Sequence, residues 1–179
     1  ILIDQGSKVL VETPTYLGAL QAFTPMEPQF VGVASDEHGL LPEDLRTQAA
    51  GARMLYVLPN FQNPTGRTLD AARRQAIAQI AMDTGLPVVE DNPYGDLWFE
   101  QAPPPAISAA LPEHSIYLGS FSKILAPGLR LGYVVAPTSV YPKLLQAKQA
   151  ADLHSPSFNQ RLVSRILDSG FIEQHIPTI

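Results

Sequence analysis

The sequence predicts an α/β domain with a mainly parallel sheet. Short apolar runs alternate with segments of helical periodicity along the 179 residues, and such alternation is typical of layered α/β folds. The runs are apolar nearly throughout, as in strands that are covered on both faces. Hydrophobic residues make up 45% of the chain and charged residues 16%, which suits a packed core and argues against disorder.

Six runs have the length and composition of strands. They are Lys8–Glu12, Gln29–Val33, Met54–Leu58, Leu86–Asp91, Ser115–Gly119 and Leu131–Val135. Only eleven residues separate Gly119 from Leu131, whereas a parallel crossover needs about a dozen or more. The last two strands therefore either pair antiparallel or are not neighbours.

Helical periodicity is clearest at Thr68–Thr84, where Thr68 is the expected N-cap and Gly85 the expected C-terminal residue. The expected apolar stripe is Leu69, Ala72, Ala76, Ile77 and Ile80, and the residues expected to face mostly away are Arg73, Arg74, Gln75 and Gln79. Further helices are predicted at Tyr16–Phe23, Pro42–Gln48, Val140–Ala151 and Ser157–Asp168. The first residues, Ile1–Gln5, read like the last turn of a helix that ends at Gly6.

Charge and composition exclude several classes of function. Twelve basic and seventeen acidic residues give a net charge of −5, so we expect neither nucleic-acid nor membrane-surface binding. The absence of cysteine excludes disulfides and thiolate chemistry, and the four histidines lack the spacing of metal ligands, so no metal is expected. No apolar run reaches the roughly 18 residues of a membrane span and no export signal is seen, so we expect a cytoplasmic protein.

Polar residues cluster where the predicted strands end. Pro14-Thr15-Tyr16 follows the first strand, Asn63-Pro64-Thr65-Gly66 the third and Asp91-Asn92-Pro93-Tyr94 the fourth. Ser120-Phe121-Ser122-Lys123 follows the fifth, with Arg130 seven residues after the lysine. Ligands of α/β sheets bind outside the carboxyl ends of strands, so these segments outline a candidate site. Singly, each segment also suits a turn, a helix cap or a solvated surface.

Together, these segments resemble the fold-type-I pyridoxal-phosphate enzymes of the class I/II aminotransferase family. The matching pattern is Asn-Pro-Thr-Gly, then Asp-x-x-Tyr 28 residues on, then Ser-x-Ser-Lys with its arginine. The runs 58–64 and 119–130 look closest to the 2-aminoadipate, kynurenine and aromatic aminotransferase branch. The resemblance implies a three-layer α/β/α sandwich with a mainly parallel sheet containing one antiparallel strand. It also makes residues 1–179 a partial cofactor-binding large domain, with an upstream phosphate loop and a C-terminal small domain outside this chain.

The resemblance implies pyridoxal 5′-phosphate as the cofactor, and it assigns the catalytic roles to three residues. Lys123 would hold the cofactor as a Schiff base and move a proton between the substrate Cα and C4′. A lysine does this only when its amine can be neutral, which burial beside other cationic groups favours. Asp91 would keep the ring nitrogen protonated, and Tyr94 would hydrogen-bond the phenolate oxygen.

The remaining assigned residues would bind the cofactor. Asn63 would share the phenolate oxygen with Tyr94, and Tyr16 would stack on the ring. Ser120, Ser122 and Arg130 would hold the phosphate, since a guanidinium forms paired, charge-assisted bonds with a dianion. In the family the Asn-Pro bond can be cis, so we expect Asn63-Pro64 or Thr13-Pro14 to be cis.

The implied function is an aminotransferase that moves an amino group from an amino acid to a 2-oxo acid, as a homodimer. One alternative is the effector domain of a winged-helix transcription regulator, in which pyridoxal phosphate is a ligand; the presence of Asn63 favours the enzyme. Another is a C–S lyase or cyclising enzyme on the same scaffold, which the cofactor residues do not distinguish because they serve a shared carbanion step. A truncated domain without activity is the third alternative.

Overall fold

A computed structural model describes residues 1–179 and contains eight strands and seven α-helices. The strands are β1 (Lys8–Glu12), β2 (Gln29–Val33), β3 (Ser35–Asp36), β4 (Gly39–Leu40), β5 (Ala52–Val57), β6 (Val88–Asp91), β7 (Ser115–Ser120) and β8 (Gly132–Val135). The helices are α1 (Leu17–Phe23), α2 (Pro42–Gln48), α3 (Ala71–Thr84), α4 (Phe121–Ile124), α5 (Tyr141–Asp152), α6 (Ser157–Asp168) and α7 (Phe171–His175).

Six strands form one sheet in the order β2-β1-β5-β6-β7-β8, and all neighbours are parallel except β7 and β8. The antiparallel pair places Leu118 opposite Val134. The short connection between these two strands leaves no room for a parallel crossover. The structure therefore confirms the predicted fold class and decides the open alternative in favour of antiparallel pairing.

The core lies on both faces of the sheet because successive strand residues point to opposite sides. One buried cluster combines Leu10, Leu55, Val57 and Val88 with α2 and α3, and the other combines Val9, Val11, Met54, Tyr56 and Val89 with α1. This is the α/β/α layering that the sequence predicts. Strand β8 departs from the prediction that the strands are covered on both faces, since all four of its residues are exposed.

Helix α3 corrects three expectations. Ala72 was expected on the apolar stripe but is exposed. The N-cap of the helix is Asp70, whose carboxylate accepts from the Arg73 amide at 2.7 Å, whereas the Thr68 hydroxyl accepts from the amide of Phe61. Arg74 was expected to face away from the core but is only 4% exposed. Its guanidinium can be buried because it donates hydrogen bonds to oxygen atoms below the helix. At the other end, Gly85 has a φ of 67°, which confirms it as the left-handed terminal residue.

Two further local expectations are corrected. Residues 1–4 form no helix, and Gly6 lies in a turn with a φ of 76°. The β3–β4 hairpin was not predicted, because two-residue strands carry too little periodicity to be recognised. It is tied to α3 by an ion pair between Asp36 and Arg73. No helix is both long and apolar enough to span a membrane.

Candidate functional site

The loops that follow four strands meet at one edge of the sheet. Strands β1, β5, β6 and β7 are mutually parallel neighbours, so their carboxyl ends point the same way. The segments after them are the loops 13–16, 58–66 and 92–94 and the short helix α4, which contains residues 121–123. All predicted site residues except Arg130 lie in these segments or at the last position of their strands.

Asp91 is the last residue of β6 and is held from below by Tyr56 of β5. The Tyr56 hydroxyl donates to Asp91 Oδ2 at 2.6 Å. Burial raises the pKa of Asp91, and this hydrogen bond opposes the rise. The pKa of the Tyr56 phenol is also raised, first by burial and then by the Asp91 charge. No protein group donates to Oδ1 of Asp91, and that oxygen is not sealed in the core. The carboxyl therefore presents one open acceptor at the edge.

A chain of side-chain hydrogen bonds runs beneath the same edge. Arg74 donates to Asn60 Oδ1, Asn60 Nδ2 donates to Asn92 Oδ1 at 2.8 Å, and Asn92 Nδ2 donates to the Tyr117 hydroxyl at 2.7 Å. These bonds link the loops after β5 and β6 to the middle of β7. They fix Asn92, the neighbour of Asp91, and with it the start of the loop that carries Tyr94.

Lys123 and Tyr94 lie close together on the other side of the edge. The Lys123 Nζ is 5.8 Å from the centroid of the Tyr94 ring, within the range of a cation–π contact. Lys123 sits on α4, a single turn whose N-cap Ser120 accepts from the Ser122 amide at 3.1 Å. The lysine is exposed, so the burial that the sequence analysis expected of its amine is not provided by these 179 residues.

Arg130 is the least constrained of the predicted residues. It follows a 3₁₀ turn at Pro127–Leu129 and adopts a left-handed φ of 50°. Its guanidinium is exposed and donates to the Pro127 carbonyl at 3.3 Å. No hydrogen bond joins it to Ser120 or Ser122.

Tyr16 and Asn63 lie in the two loops that contain cis-prolines. Both Thr13-Pro14 and Asn63-Pro64 are cis, which confirms the predicted isomers. Tyr16 is the N-cap of α1 and is 41% exposed. The Asn63 side chain is partly buried and has no hydrogen-bond partner within the protein. Next to Tyr16, the Thr15 hydroxyl is buried without a partner, which is unusual for a native structure.

Five residues of this edge were not among the predicted site residues. In the sequence, Tyr56 was interpreted only as an apolar residue of a strand, and Glu12 only as the polar residue that ends another strand. Asn60 and Gln62 lie in the run 58–64 but were given no role, and Arg74 was predicted to lie on the solvent side of its helix. The signal that could have found Glu12 was its position as a lone carboxylate directly after a fully apolar run.

Comparisons with known proteins identify the family of this chain. A family model described as aminotransferase class I and II matches residues 1–177. The 2-aminoadipate transaminase of Thermus thermophilus is 44% identical over 97% of this chain, and the aligned part is 45% of that protein. An uncharacterized HTH-type transcriptional regulator of Bacillus subtilis, YdfD, is 36% identical over 99% of this chain and 38% of its own length.

Among solved structures, LysN, an alpha-aminoadipate aminotransferase from Thermus thermophilus, superposes with a TM-score of 0.93. It is 42% identical to this chain, and the match covers 99% of this chain and 47% of that one. It was crystallised as a complex with N-(5′-phosphopyridoxyl)-L-leucine. The chain thus spans about half the length of the relatives that it matches.

Proposed function

The chain belongs to the class I and II aminotransferase family, and we propose that the protein containing it is a pyridoxal-phosphate-dependent aminotransferase. Its reaction moves an amino group from an amino acid to a 2-oxo acid. The observation that carries the proposal is the edge at which Asp91 offers an open carboxylate oxygen and the Lys123–Tyr94 pair offers a primary amine.

The groups at this edge fit the cofactor. Pyridoxal phosphate has a ring nitrogen that binds a proton, a phenolate oxygen, an aldehyde and a phosphate dianion. Asp91 Oδ1 is an open acceptor for a protonated ring nitrogen, and the unpaired amide of Asn63 supplies a donor for the phenolate. Ser120, Ser122 and Arg130 provide hydroxyls and a guanidinium, the donors that suit a phosphate.

When bound, the cofactor supplies an electron sink for negative charge that develops at the substrate Cα. Asp91 holds the proton on the ring nitrogen, and Tyr56 keeps the carboxyl oriented by donating to its other oxygen. This carboxyl is half-buried, so its charge would be stabilised by a cationic partner at the open oxygen. Without that partner, burial raises the pKa of Asp91.

Lys123 would hold the cofactor through its amine and, once the amino-acid substrate has displaced that amine, would take the proton that leaves the substrate Cα. Tyr94 lies against this lysine and restricts where its amine can point. Asn63 and Tyr94 would donate hydrogen bonds to the phenolate oxygen, and the ring of Tyr16 would cover one face of the cofactor. These roles are part of the proposal.

The proposal extends to the organisation of the whole protein. Residues 1–179 form most of a cofactor-binding large domain, and the phosphate loop upstream and the small domain downstream lie in the remainder of the parent protein. This division is supported by the 45% share of the 2-aminoadipate transaminase that the chain covers. A homodimer and a cytoplasmic location stay predictions.

The similarity to YdfD supports one second candidate, a cofactor-binding effector domain of a transcription regulator. The two candidates differ in the fate of an amino acid that meets the bound cofactor. An aminotransferase converts the amino acid into its 2-oxo acid and leaves the cofactor aminated, whereas an effector domain only binds both molecules.

The test is a half-reaction screen on the complete gene product loaded with pyridoxal phosphate. Aliphatic, aromatic and acidic amino acids are added singly, without a 2-oxo acid acceptor. We expect stoichiometric formation of one 2-oxo acid per cofactor with at least one of them. Binding of the cofactor without any 2-oxo acid would contradict the enzymatic function and favour the effector domain.

A further inference from the structure

Two loops of the edge are joined by a single buried amide, that of Gln62. This side chain is 5% exposed. Its Nε2 donates to the carbonyl of Pro14 at 2.7 Å, in the loop that carries Tyr16. Its Oε1 accepts from the backbone amide of Thr65 at 2.9 Å and from the Thr65 hydroxyl at 2.7 Å, in the loop that carries Asn63.

The bonds made by Gln62 require an amide. A carboxylate at this position could accept from Thr65 but could not donate to the Pro14 carbonyl, and an aliphatic side chain could do neither. A buried donor or acceptor that loses its partner costs free energy. The two ends of the amide therefore fix the distance and orientation between the loops.

Glu12 lies beside this amide. It is the last residue of β1 and is only 4% exposed. Its Oε2 accepts from the backbone amide of Leu58 at 2.8 Å, and the Gln62 side chain is near enough to the carboxyl to lower its pKa. Glu12 thus ties the end of β1 to the end of β5 next to the Gln62 side chain.

We propose that Gln62 is a positioning residue that couples the Tyr16 loop to the Asn63 loop, and that Glu12 acts through it by fixing the orientation of its amide. The inference rests on the proposed function, because Tyr16 and Asn63 are the residues assigned to the ring face and the phenolate. Neither Gln62 nor Glu12 needs to touch the cofactor. Their effect is that both loops present their side chains to the same ring.

The test uses the complete gene product and three variants, Gln62→Leu, Glu12→Leu and the double variant. Gln75→Leu is the matched control, since Gln75 is exposed on α3 and its side chain makes no hydrogen bond. Two readouts are independent of turnover: the dissociation constant for pyridoxal phosphate, and the visible circular dichroism of the bound cofactor, which reports its orientation. Far-ultraviolet circular dichroism selects the variants that are folded.

We expect Gln62→Leu to weaken cofactor binding about tenfold and to reduce the visible dichroism, while Gln75→Leu changes neither. Because Glu12 acts through Gln62, the double variant should bind no more weakly than Gln62→Leu alone. If Glu12→Leu does not fold, Glu12→Gln replaces it, because glutamine keeps an acceptor for the Leu58 amide. The dissociation constant of Glu12→Gln for the cofactor should stay within about threefold of the wild-type value.

The outcomes separate the two proposals. If the wild-type protein binds no pyridoxal phosphate, both the function and this inference are overturned. If the wild type binds but Gln62→Leu lowers only the melting temperature and leaves affinity and dichroism unchanged, Gln62 is merely structural and the inference is wrong. Additive losses in the double variant would overturn the role of Glu12.

Discussion

Residues 1–120 and residues 121–179 differ sharply in how far they bury their side chains. The first region supplies both core clusters, whereas the second contributes only Ile124, Leu131, Val163 and Ile172 to the buried hydrophobic residues. Helix α5 buries none of its residues. Exposed apolar side chains are concentrated here, including Phe158 at 75%.

The candidate site is divided in the same way. Asp91 belongs to the first region and is fixed by Tyr56, with the bonds of Asn60 and Asn92 beside it. Lys123 and Arg130 belong to the second region and are exposed. Buried polar networks restrict side chains to one arrangement, so the surroundings of Asp91 are preorganised within this chain. No comparable network of side-chain hydrogen bonds holds Lys123 or Arg130.

Lys123→Ala tests the second region and should have the largest effect. Without the amine, the cofactor is not held covalently and no group takes the Cα proton. We expect transamination by the complete gene product to fall about 10³-fold or more, measured as 2-oxo acid formation. Lys143→Ala removes a lysine from α5 as the control. Retained turnover in Lys123→Ala would remove the lysine from the site.

Asp91→Ala tests the first region. The loss of the carboxylate removes the charge that keeps the ring nitrogen protonated, so proton loss from the substrate Cα should slow about 100-fold. The affinity for the cofactor should change far less, because the phosphate donors are untouched. Deuterium exchange at Cα measures the first quantity and cofactor titration the second, with Asp168→Ala as the control. An unchanged exchange rate would refute the role of Asp91.

Arg74→Met tests whether the bonds beneath the edge are a structural support. The guanidinium donates to the carbonyls of Leu69, Pro59, Pro104 and Pro105 and to Asn60. Methionine removes all of these bonds and leaves Asn60 Oδ1 without a donor, so the free energy of unfolding should fall by about 2 kcal/mol. Urea denaturation checks this value against Arg161→Met, which changes an exposed arginine. Equal stability of the two variants would show that the network contributes nothing.

Glu12→Gln sharpens the comparison through the pH dependence of stability. Burial raises the pKa of Glu12 from 4.5 to about 8, and its bonds to Leu58 and Gln62 oppose the rise. The folded state therefore keeps a proton that the unfolded state has lost between these two values, and stability should fall as the pH rises from 4.5 to about 8. Glu12→Gln should flatten this part of the profile, whereas Glu113→Gln, at an exposed position, should not. An unchanged slope in Glu12→Gln would mean that this carboxyl ionises normally.

Elements with a clear hydrophobic period could be predicted from the sequence. Strands β1 and β2 and helices α2 and α6 have the predicted bounds, and the antiparallel β8 followed from the length of one connection. Arg74 and the β3–β4 hairpin could not be predicted. The sequence does not distinguish a buried arginine from an exposed one. The acceptors of Arg74 include Asn60 and the Pro104-Pro105 loop, which are brought near to it only by the fold.

In the site, too, contacts between distant parts of the chain could not be predicted from the sequence. Motif spacing located Asp91 and Lys123 at the carboxyl edge, as the structure does, because parallel strands bring their ends together. The hydrogen bonds of the site join residues that lie far apart in the chain, such as Tyr56 with Asp91 and Glu12 with Leu58. The exposure of Lys123 is also a property of packing and not of its motif.

Chemical trapping tests the central assignment most directly. The complete gene product is incubated with pyridoxal phosphate, reduced with borohydride, digested and analysed by mass spectrometry. The structure and the family predict a single phosphopyridoxyl adduct, on the peptide that contains Lys123. An adduct spread over the exposed lysines of the chain, or no adduct in a folded protein, would contradict the assignment of this edge as the cofactor site.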